Sequence, residues 1–242
     1  MAGWLGVGPD SQGPFAGRRP LRSQHRSLAD TVASTLRDLI LVGELEPGRR
    51  MTQDELAKML DVSTMPVREA LLKLSSQGLI EASPNRSFRV IRTTRKDVED
   101  TYWQHAALAG ELTRRACENR SGPFLKTLAE LETAYETAVE SGHPADITSA
   151  NTEFHRVINK AAASPRLVFM LNVTLGFIPG ALYSEIPEWG ALSVNAHRMI
   201  LSAMTAGYAK AADQAASEHV HEAGRLLIAV LEERGLFNNQ NS

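Results

Sequence analysis

Three histidines in the second half of the chain, His155, His197 and His219, have spacings that could bring them around one divalent metal ion. His197 lies ten residues before Gly207, and His219 lies twelve residues after it. If Gly207 joins two antiparallel helices, both histidines lie roughly 15–18 Å from the turn at 1.5 Å per residue, and thus at one height. With a third histidine from another helix they offer neutral imidazoles, which suit Zn and Ni. Histidines scattered over the surface and core fit the same spacings, so spacing alone leaves both interpretations open.

A second group of side chains, nearer the N-terminus, has the chemistry of a DNA-reading surface. A helix that follows Val62 begins with the exposed candidates Ser63, Thr64, Met65 and Arg68. Residues at the N-terminus of a helix reach base edges and phosphates when that helix enters the major groove. The Arg68 guanidinium can donate two parallel hydrogen bonds to a guanine or a phosphate.

Three further arginines are candidates for contacts outside the major groove. Arg49 and Arg50 precede the second predicted helix, where backbone phosphates would pass. Arg86 lies at the tip of a predicted hairpin, from which it could enter the minor groove. The alternative is a small helical bundle whose arginines are simply solvated.

Local signals predict the elements that would position this surface. A capping box of Thr52 and Glu55 begins the second helix, and Asp61 can take the left-handed conformation in the turn before the third. The predicted elements are a helix over residues 27–42, a helix from Thr52, a helix from Ser63 or Thr64 to Gly78, and short strands over 79–82 and 88–91. This order predicts a winged helix-turn-helix over residues 26–93.

The chain from Arg95 onward has no convincing strand pattern and reads as a helical bundle with a central cavity. The predicted helices cover residues 96–119, 123–141, 145–163, 165–184, 187–206 and 209–234. Gly and Pro pairs separate them, and the run from Gly176 to Gly180 bends or breaks the fourth. The predicted fold class is therefore mainly α, with an all-helical domain of six or seven helices over residues 95–236.

Composition sets the class of protein. The chain has 242 residues, 43% of them hydrophobic, and one cysteine, Cys117, which excludes an internal disulfide and fits a reducing compartment. No apolar run is long enough for a membrane span, and the first residues lack a signal-peptide pattern. Residues 1–25 are predicted to be a disordered arm.

The charge is divided unevenly along the chain. Residues 1–97 carry 15 Lys and Arg against 11 Asp and Glu, and the remainder carries 11 Lys and Arg against 17 Asp and Glu. A basic first part suits a polyanion, whereas a sequence pI near 6.4 argues against a DNA-packaging protein.

The first domain resembles the DNA-binding domain of the GntR family of bacterial regulators over about residues 28–92. The resemblance rests on Pro47-Gly48, on Leu56-Ala57, on the run Pro66-Val67-Arg68-Glu69-Ala70-Leu71, and on Gly78-Leu79-Ile80. Thr64 stands where the family usually has Arg, and Asp61 where it usually has Gly. The first departure removes a contact to a base or phosphate, so the operator is expected to differ from the family's commonest one.

The second domain resembles the FCD-type effector domain of one GntR subfamily over about residues 96–234. The segments "NTEFHRVI", "NAHRMILSAM" and "AADQAASEHV" carry this resemblance. It implies a divalent metal, Zn or Ni, bound near small carboxylates, with the ligands Asn151, His155, His197 and His219. Asn151 stands at a position often held by Asp, and a neutral amide oxygen is a poorer ligand than a carboxylate.

The effector-binding residues implied by the same resemblance are His105 and Tyr102. His105 stands where the family often has an Arg that meets an acidic ligand. It either replaces that Arg as a weaker, pH-dependent cation or lines a pocket for a less acidic effector. Tyr102 and Trp103 flank it, and core packing is the other role for both.

The function that follows is a sequence-specific transcriptional regulator, not an enzyme, whose affinity for a palindromic operator is modulated by a small molecule. We expect a homodimer, because two-fold protein symmetry mirrors two half-sites. Its expected location is the cytoplasm, on the nucleoid when bound to its operator. The alternative is a metal-dependent hydrolase that uses the histidine cluster. Against it, the chain has no HExxH motif, and Glu153 lies on a different helix face from Asn151 and His155.

Overall fold

The computed structural model describes residues 27–83, 87–175, 186 and 188–237. Its elements, in chain order, are α1 (Leu28–Leu41), β1 (Arg50–Thr52), α2 (Gln53–Leu60), α3 (Thr64–Ser76), β2 (Ile80–Ser83), β3 (Ser87–Val90), α4 (Arg95–Glu118), α5 (Gly122–Ser141), α6 (Pro144–Ala161), α7 (Pro165–Leu175), α8 (Trp189–Ala206) and α9 (Ala209–Glu233). The mainly α fold class, with a winged helix-turn-helix before a helical bundle, is confirmed. The predicted arm, the hairpin tip with Arg86 and the predicted break between Gly176 and Gly180 lie outside the described residues.

Local capping explains where the helices of the first domain begin. Thr52 caps α2, and its side chain and that of Glu55 form the predicted capping box. Asp61 ends α2 in the left-handed conformation, with φ 52° and ψ 46°. This conformation turns the chain sharply into α3, as predicted, because Asp tolerates it better than most residues.

A three-stranded antiparallel sheet completes this domain, with strand order β1-β3-β2. The predicted hairpin is present, and each of its strands is shifted by one residue from the predicted position. Ile80 lies opposite Val90. The prediction missed β1, which pairs with β3 and places Arg50 opposite Arg89. The strand was missed because its three residues, which lead directly into a helix, are too few to show an alternation of apolar and polar side chains.

The first domain has its own hydrophobic core. Val67, Leu71 and Leu74 of α3 are fully buried among the apolar residues of α1, α2 and the sheet. Full burial of each such side chain contributes about 1.5–3 kcal/mol. Because these residues share one face of α3, the opposite face is left to solvent.

The remaining helices bury two further apolar clusters. Within the described residues, every predicted helical stretch contains a helix, with ends within about two residues of the prediction. The long helices α4 and α9 pack closely, and Gly110 and Gly224 lie where they approach each other most nearly. Gly207, with φ +80°, joins α8 to α9. No helix of the described ranges is both long and apolar enough to cross a bilayer.

The close approach at Gly224 predicts a loss of stability in Gly224→Ala. A Cβ there would lie 2.7 Å from Cγ of Tyr102 and 2.9 Å from its Cβ, neither of which is a flexible end. Overpacking of this kind costs about 1–3 kcal/mol, which exceeds the roughly 1 kcal/mol that alanine adds as a helix former. Urea unfolding should show this decrease. Gly122→Ala, whose Cβ would meet nothing within 4 Å, is the matched control and should be neutral or slightly stabilising.

Candidate functional site

The exposed face of α3 carries the predicted DNA-reading side chains. Ser63 is the N-terminal cap of α3, and Thr64, Met65 and Arg68 are exposed in its first two turns. The side chain of Met65 is 71% exposed, which is unusual for a large apolar residue and suits contact with a thymine methyl group. Helix α3 follows α2 after a short turn, as the recognition helix does in helix-turn-helix proteins.

Two further arginines of the predicted DNA-reading surface are exposed. Arg49 and Arg50 precede α2, and Arg50 lies in β1 opposite Arg89. Arg89 forms an ion pair with Glu81 on the neighbouring strand, with Nε 2.7 Å from Oε1. The strand pairing therefore brings together basic residues that are 39 positions apart, and the sequence analysis did not identify Arg89 as part of this surface.

The second site lies inside the helical domain, where His155 of α6, His197 of α8 and His219 of α9 come together. One ligand atom from each residue lies within 4.8 Å of the other two. The Nε2 atoms of His155 and His197 are 3.2 Å apart. The turn at Gly207 places His197 and His219 at one level, as the spacing argument requires.

Apolar stripes on the helices hold these rings in place. His197 continues the buried stripe of Trp189, Ser193, Ile200 and Met204 on α8. The ring of Phe154 stacks on His197 with centroids 4.0 Å apart and an interplanar angle of 11°. Trp189 stacks on His219 at 5.4 Å, so the aromatic neighbours fix both ring planes.

Burial keeps these histidines neutral. It lowers the pKa of His197 to about 3, and together with the proximity of His197 it lowers the pKa of His155 to about 3. Burial and the neighbouring histidines also hold the pKa of His219 well below its usual value. At neutral pH each ring therefore offers one nitrogen lone pair.

The cluster fits a divalent metal ion on two observations. Two nitrogens bound to one ion at about 2.1 Å lie about 3.0–3.4 Å apart at angles of 90–109°, and the observed 3.2 Å falls in that interval. Asn151 lies one turn before His155 on α6, and its Oδ1 is buried without a hydrogen-bond partner. An unpaired buried acceptor is costly, and a cation would satisfy it.

Comparison with known proteins agrees with the two-domain organisation. Residues 28–90 match the family described as bacterial regulatory proteins, gntR family, and residues 100–222 match the FCD domain. A probable D-xylose utilization operon transcriptional repressor of Paenarthrobacter nicotinovorans is 32% identical over 197 residues, which are 78% of this chain and 86% of that relative. The chain belongs to the GntR family. It is a DNA-binding transcriptional regulator with an FCD effector-binding domain, and not an enzyme.

A second relative connects this GntR regulator to a solved structure. The HTH-type transcriptional regulator McbR of Escherichia coli is 29% identical over 151 residues, which are 62% of this chain and 68% of McbR. The solved structure of E. coli McbR/YncC matches 86% of this chain and 99% of its own, with a TM-score of 0.64 and 26% identity. The two domains and their order are thus those of a known GntR architecture.

The two predicted effector residues of this GntR regulator occupy different surroundings. His105 lies on α4, close enough to the cluster that His155 influences its pKa and that it influences the pKa of His219. Its Nδ1 is 2.8 Å from Oγ1 of Thr174. Burial, and to a lesser extent His155, lowers the pKa of His105 to about 4, so it offers a neutral imidazole. Thr174 donates its own proton to the carbonyl oxygen of Leu171, so it accepts from Nδ1–H of His105.

Tyr102 lies one turn earlier on α4 and faces the DNA-binding domain. Its ring packs against Gly224 of α9, and it lines a cavity of about 300 Å³ at the junction of the two domains, together with Leu79 and Ile91. Its role in effector binding stays a prediction.

One residue at the histidine cluster was missed entirely by the sequence analysis. Glu132 of α5 is buried, and its Oε2 lies 3.1 Å from Nδ1 of His197. Because His197 is neutral, this contact is a hydrogen bond rather than an ion pair. The available signal was a periodic one: Leu128, Glu132, Tyr135 and Ala138 form one buried stripe, in which Glu132 is the acidic member.

Proposed function

We propose that this GntR regulator binds a palindromic operator as a homodimer and that a small carboxylate changes its affinity for that operator. The carboxylate binds a divalent ion, Zn or Ni, that is held by Asn151, His155, His197 and His219. The observation that carries the proposal is the convergence of three histidine ligand atoms within 4.8 Å, beside the unpartnered Oδ1 of Asn151. Such a regulator acts on the chromosome, so the proposal includes a cytoplasmic location.

The DNA-binding part of the proposal assigns a role to each exposed residue. Arg68, Thr64 and Ser63 contact base edges or phosphates in the major groove, and Met65 contacts an apolar base edge. Arg49 and Arg50 contact backbone phosphates, and Arg86 enters the minor groove. The exposure of α3 opposite its buried stripe supports these assignments.

The metal is the proposed anchor for the effector. When bound, it supplies a Lewis-acidic centre with positions open to a carboxylate oxygen. His105 is a neutral imidazole whose one N–H is donated to Thr174, so it offers a carboxylate neither the positive charge of an arginine nor a hydrogen-bond donor. The affinity for an acidic effector therefore depends on the ion itself, which makes the response to carboxylates metal-dependent.

Helix α4 offers a route from the effector site to the DNA-binding domain. Its 24 residues span about 36 Å, from the cap at Thr94 beside the first domain past His105 at the cluster. Arg95 in its first turn contacts Glu99 and Glu232, which ties this end of α4 to α9. A displacement of α4 or α9 at the cluster is thereby passed to the junction and changes the spacing of the two recognition helices.

The test measures operator affinity with and without candidate effectors. The operator is selected from random DNA by the wild-type protein, and fluorescence anisotropy follows binding in the presence of Zn²⁺ and acetate, malonate or citrate. We expect at least one carboxylate to change the Kd by about 5- to 150-fold, and His197→Ala to abolish that change. D-xylose, named for one relative, is the neutral comparison. No change with any carboxylate at saturation, or an equal change in His197→Ala, would contradict the proposal.

A further inference from the structure

The buried carboxylate of Glu132 contacts His197, one of the three histidines of the cluster. The side chain of Glu132 is 5% exposed and that of His197 is fully buried, with Oε2 and Nδ1 3.1 Å apart. A carboxylate loses most of its hydration at such a position, and the hydrogen bond to His197 offsets part of that cost. The contact therefore constrains both groups.

The direction of this hydrogen bond determines the tautomer of His197, and thus whether the nitrogen that faces the other two histidines carries a proton or a lone pair. Nδ1 points toward Glu132, and Nε2 points toward Nε2 of His155 at 3.2 Å. Burial and the nearby carboxylate of Glu136 raise the pKa of Glu132 to about 7, so at pH 8 the Glu132 carboxylate is ionised. An ionised carboxylate only accepts hydrogen bonds, so at that pH the single proton of the neutral ring lies on Nδ1. We propose that Glu132 is a positioning residue that holds His197 with Nδ1–H toward α5 and the Nε2 lone pair toward His155 and His219.

The aromatic neighbours of His197 cannot perform this task. Phe154 stacks on the ring at 4.0 Å, and Tyr135 lies 4.7 Å away, tilted by 48°. Stacking fixes the plane of an imidazole but does not select which of its nitrogens carries the proton. A hydrogen bond to one nitrogen makes that selection, and carboxylates that accept such a bond orient metal-ligating histidines in general.

Charge gives Glu132 a second effect, which rests on the proposed metal site. The candidate donors, one amide and three imidazoles, are all neutral, so a divalent ion would bring uncompensated positive charge into a buried site. Glu136 is engaged by Arg198 at 2.7 Å, and Glu153 by Arg156 at 2.6 Å, both near the surface. Glu132 places its negative charge against a ligand ring instead, and thereby raises the basicity of that ligand.

The experiment compares Glu132→Gln and Glu132→Leu with the matched control Glu130→Gln. The control removes the same charge from an exposed position of α5, where the carboxylate lies 3.9 Å from Lys126 instead of contacting His197. Nitrogen-15 chemical shifts of the His197 ring in the metal-free protein at pH 8 report the tautomer. Visible absorption of bound Co²⁺, with a competing chelator, gives the metal Kd.

We expect wild type and Glu130→Gln to hold His197 as the Nδ1–H tautomer and to bind Co²⁺ within twofold of each other. Glu132→Leu should lose that tautomer preference and bind Co²⁺ 10- to 100-fold more weakly. Glu132→Gln keeps an acceptor without the charge, so it should keep the tautomer and lose part of the affinity. This variant also serves if Glu132→Leu does not fold.

Two results would overturn the assignment: an Nε2–H tautomer in wild type, or a tautomer that is the same in wild type and Glu132→Leu. A Co²⁺ affinity in Glu132→Leu within twofold of wild type would overturn the effect on metal binding. If wild type binds no Co²⁺ at all, the proposed metal-dependent function fails, while the tautomer comparison still decides the role of Glu132.

Discussion

Replacing Arg68 with alanine is expected to weaken binding to the selected operator by about 5- to 150-fold, which corresponds to 1–3 kcal/mol. Arg68 is exposed on α3 and is not part of the buried face that Val67 and Leu71 form, so its removal leaves the core of the domain intact. Fluorescence anisotropy with labelled operator measures the loss. Repeating the titration at several salt concentrations distinguishes a phosphate contact from a base contact. The salt slope falls by about one if Arg68 binds a phosphate, and changes little if it binds a base edge.

The matched control for this prediction is Arg225→Ala. It removes the same charge from an exposed arginine of α9 that is already paired with Glu218 and Glu222. Its operator affinity should stay within twofold of wild type. Equal losses in the two variants would mean that net charge, and not the position of Arg68, sets the affinity, and the assignment of α3 as the reading helix would be wrong.

Metal removal is expected to have the second large effect. Wild-type protein purified without chelators should contain about one equivalent of Zn or Ni per chain, and His197→Ala should contain none. At a metal concentration 100 times the Kd, binding stabilises the folded state by about 2.7 kcal/mol. For a chain of this size that corresponds to an increase in Tm of about 5–10 °C.

The metal-induced change in Tm is the quantity to compare, because His197→Ala also leaves the buried Glu132 without its hydrogen-bond partner. That variant should unfold at a lower temperature with or without metal, and metal should not raise its Tm. His221→Ala is the control, since His221 lies on α9 two residues after His219 and outside the cluster. Metal content and a Tm increase that persist in His197→Ala would contradict the proposed ligand set.

Local sequence signals were sufficient for most of the fold. The capping box at Thr52, the left-handed Asp61 and the glycine between α8 and α9 each act within a few residues, so each can be read directly from the chain. Strand β1 could not be found in this way. Its three residues owe their conformation to pairing with β3, which lies more than 30 positions away.

The histidine cluster was only partly accessible to the same reasoning. The positions of His197 and His219 on either side of Gly207 give their common level, but nothing in the spacing places α6 against them. Glu132 was harder to predict from the sequence, because the segment around it contains other acidic residues that are solvent-exposed. Its burial depends on the side of α5 that faces α8, which is a property of helix packing rather than of the segment.

The separation of the hydrophobic cores has a consequence for how regulators of this kind diversify. The DNA-binding domain buries its apolar residues in one cluster and the helical domain in two others, and residues 91–94 join them. A single recombination point in this short segment would exchange one complete sensing half for another while preserving the DNA-reading half. Such a chimera must also match the surface where Val42 at the end of α1 packs against the helical domain near Leu236. New ligand specificities can therefore be acquired by gene fusion at that point, with the operator unchanged.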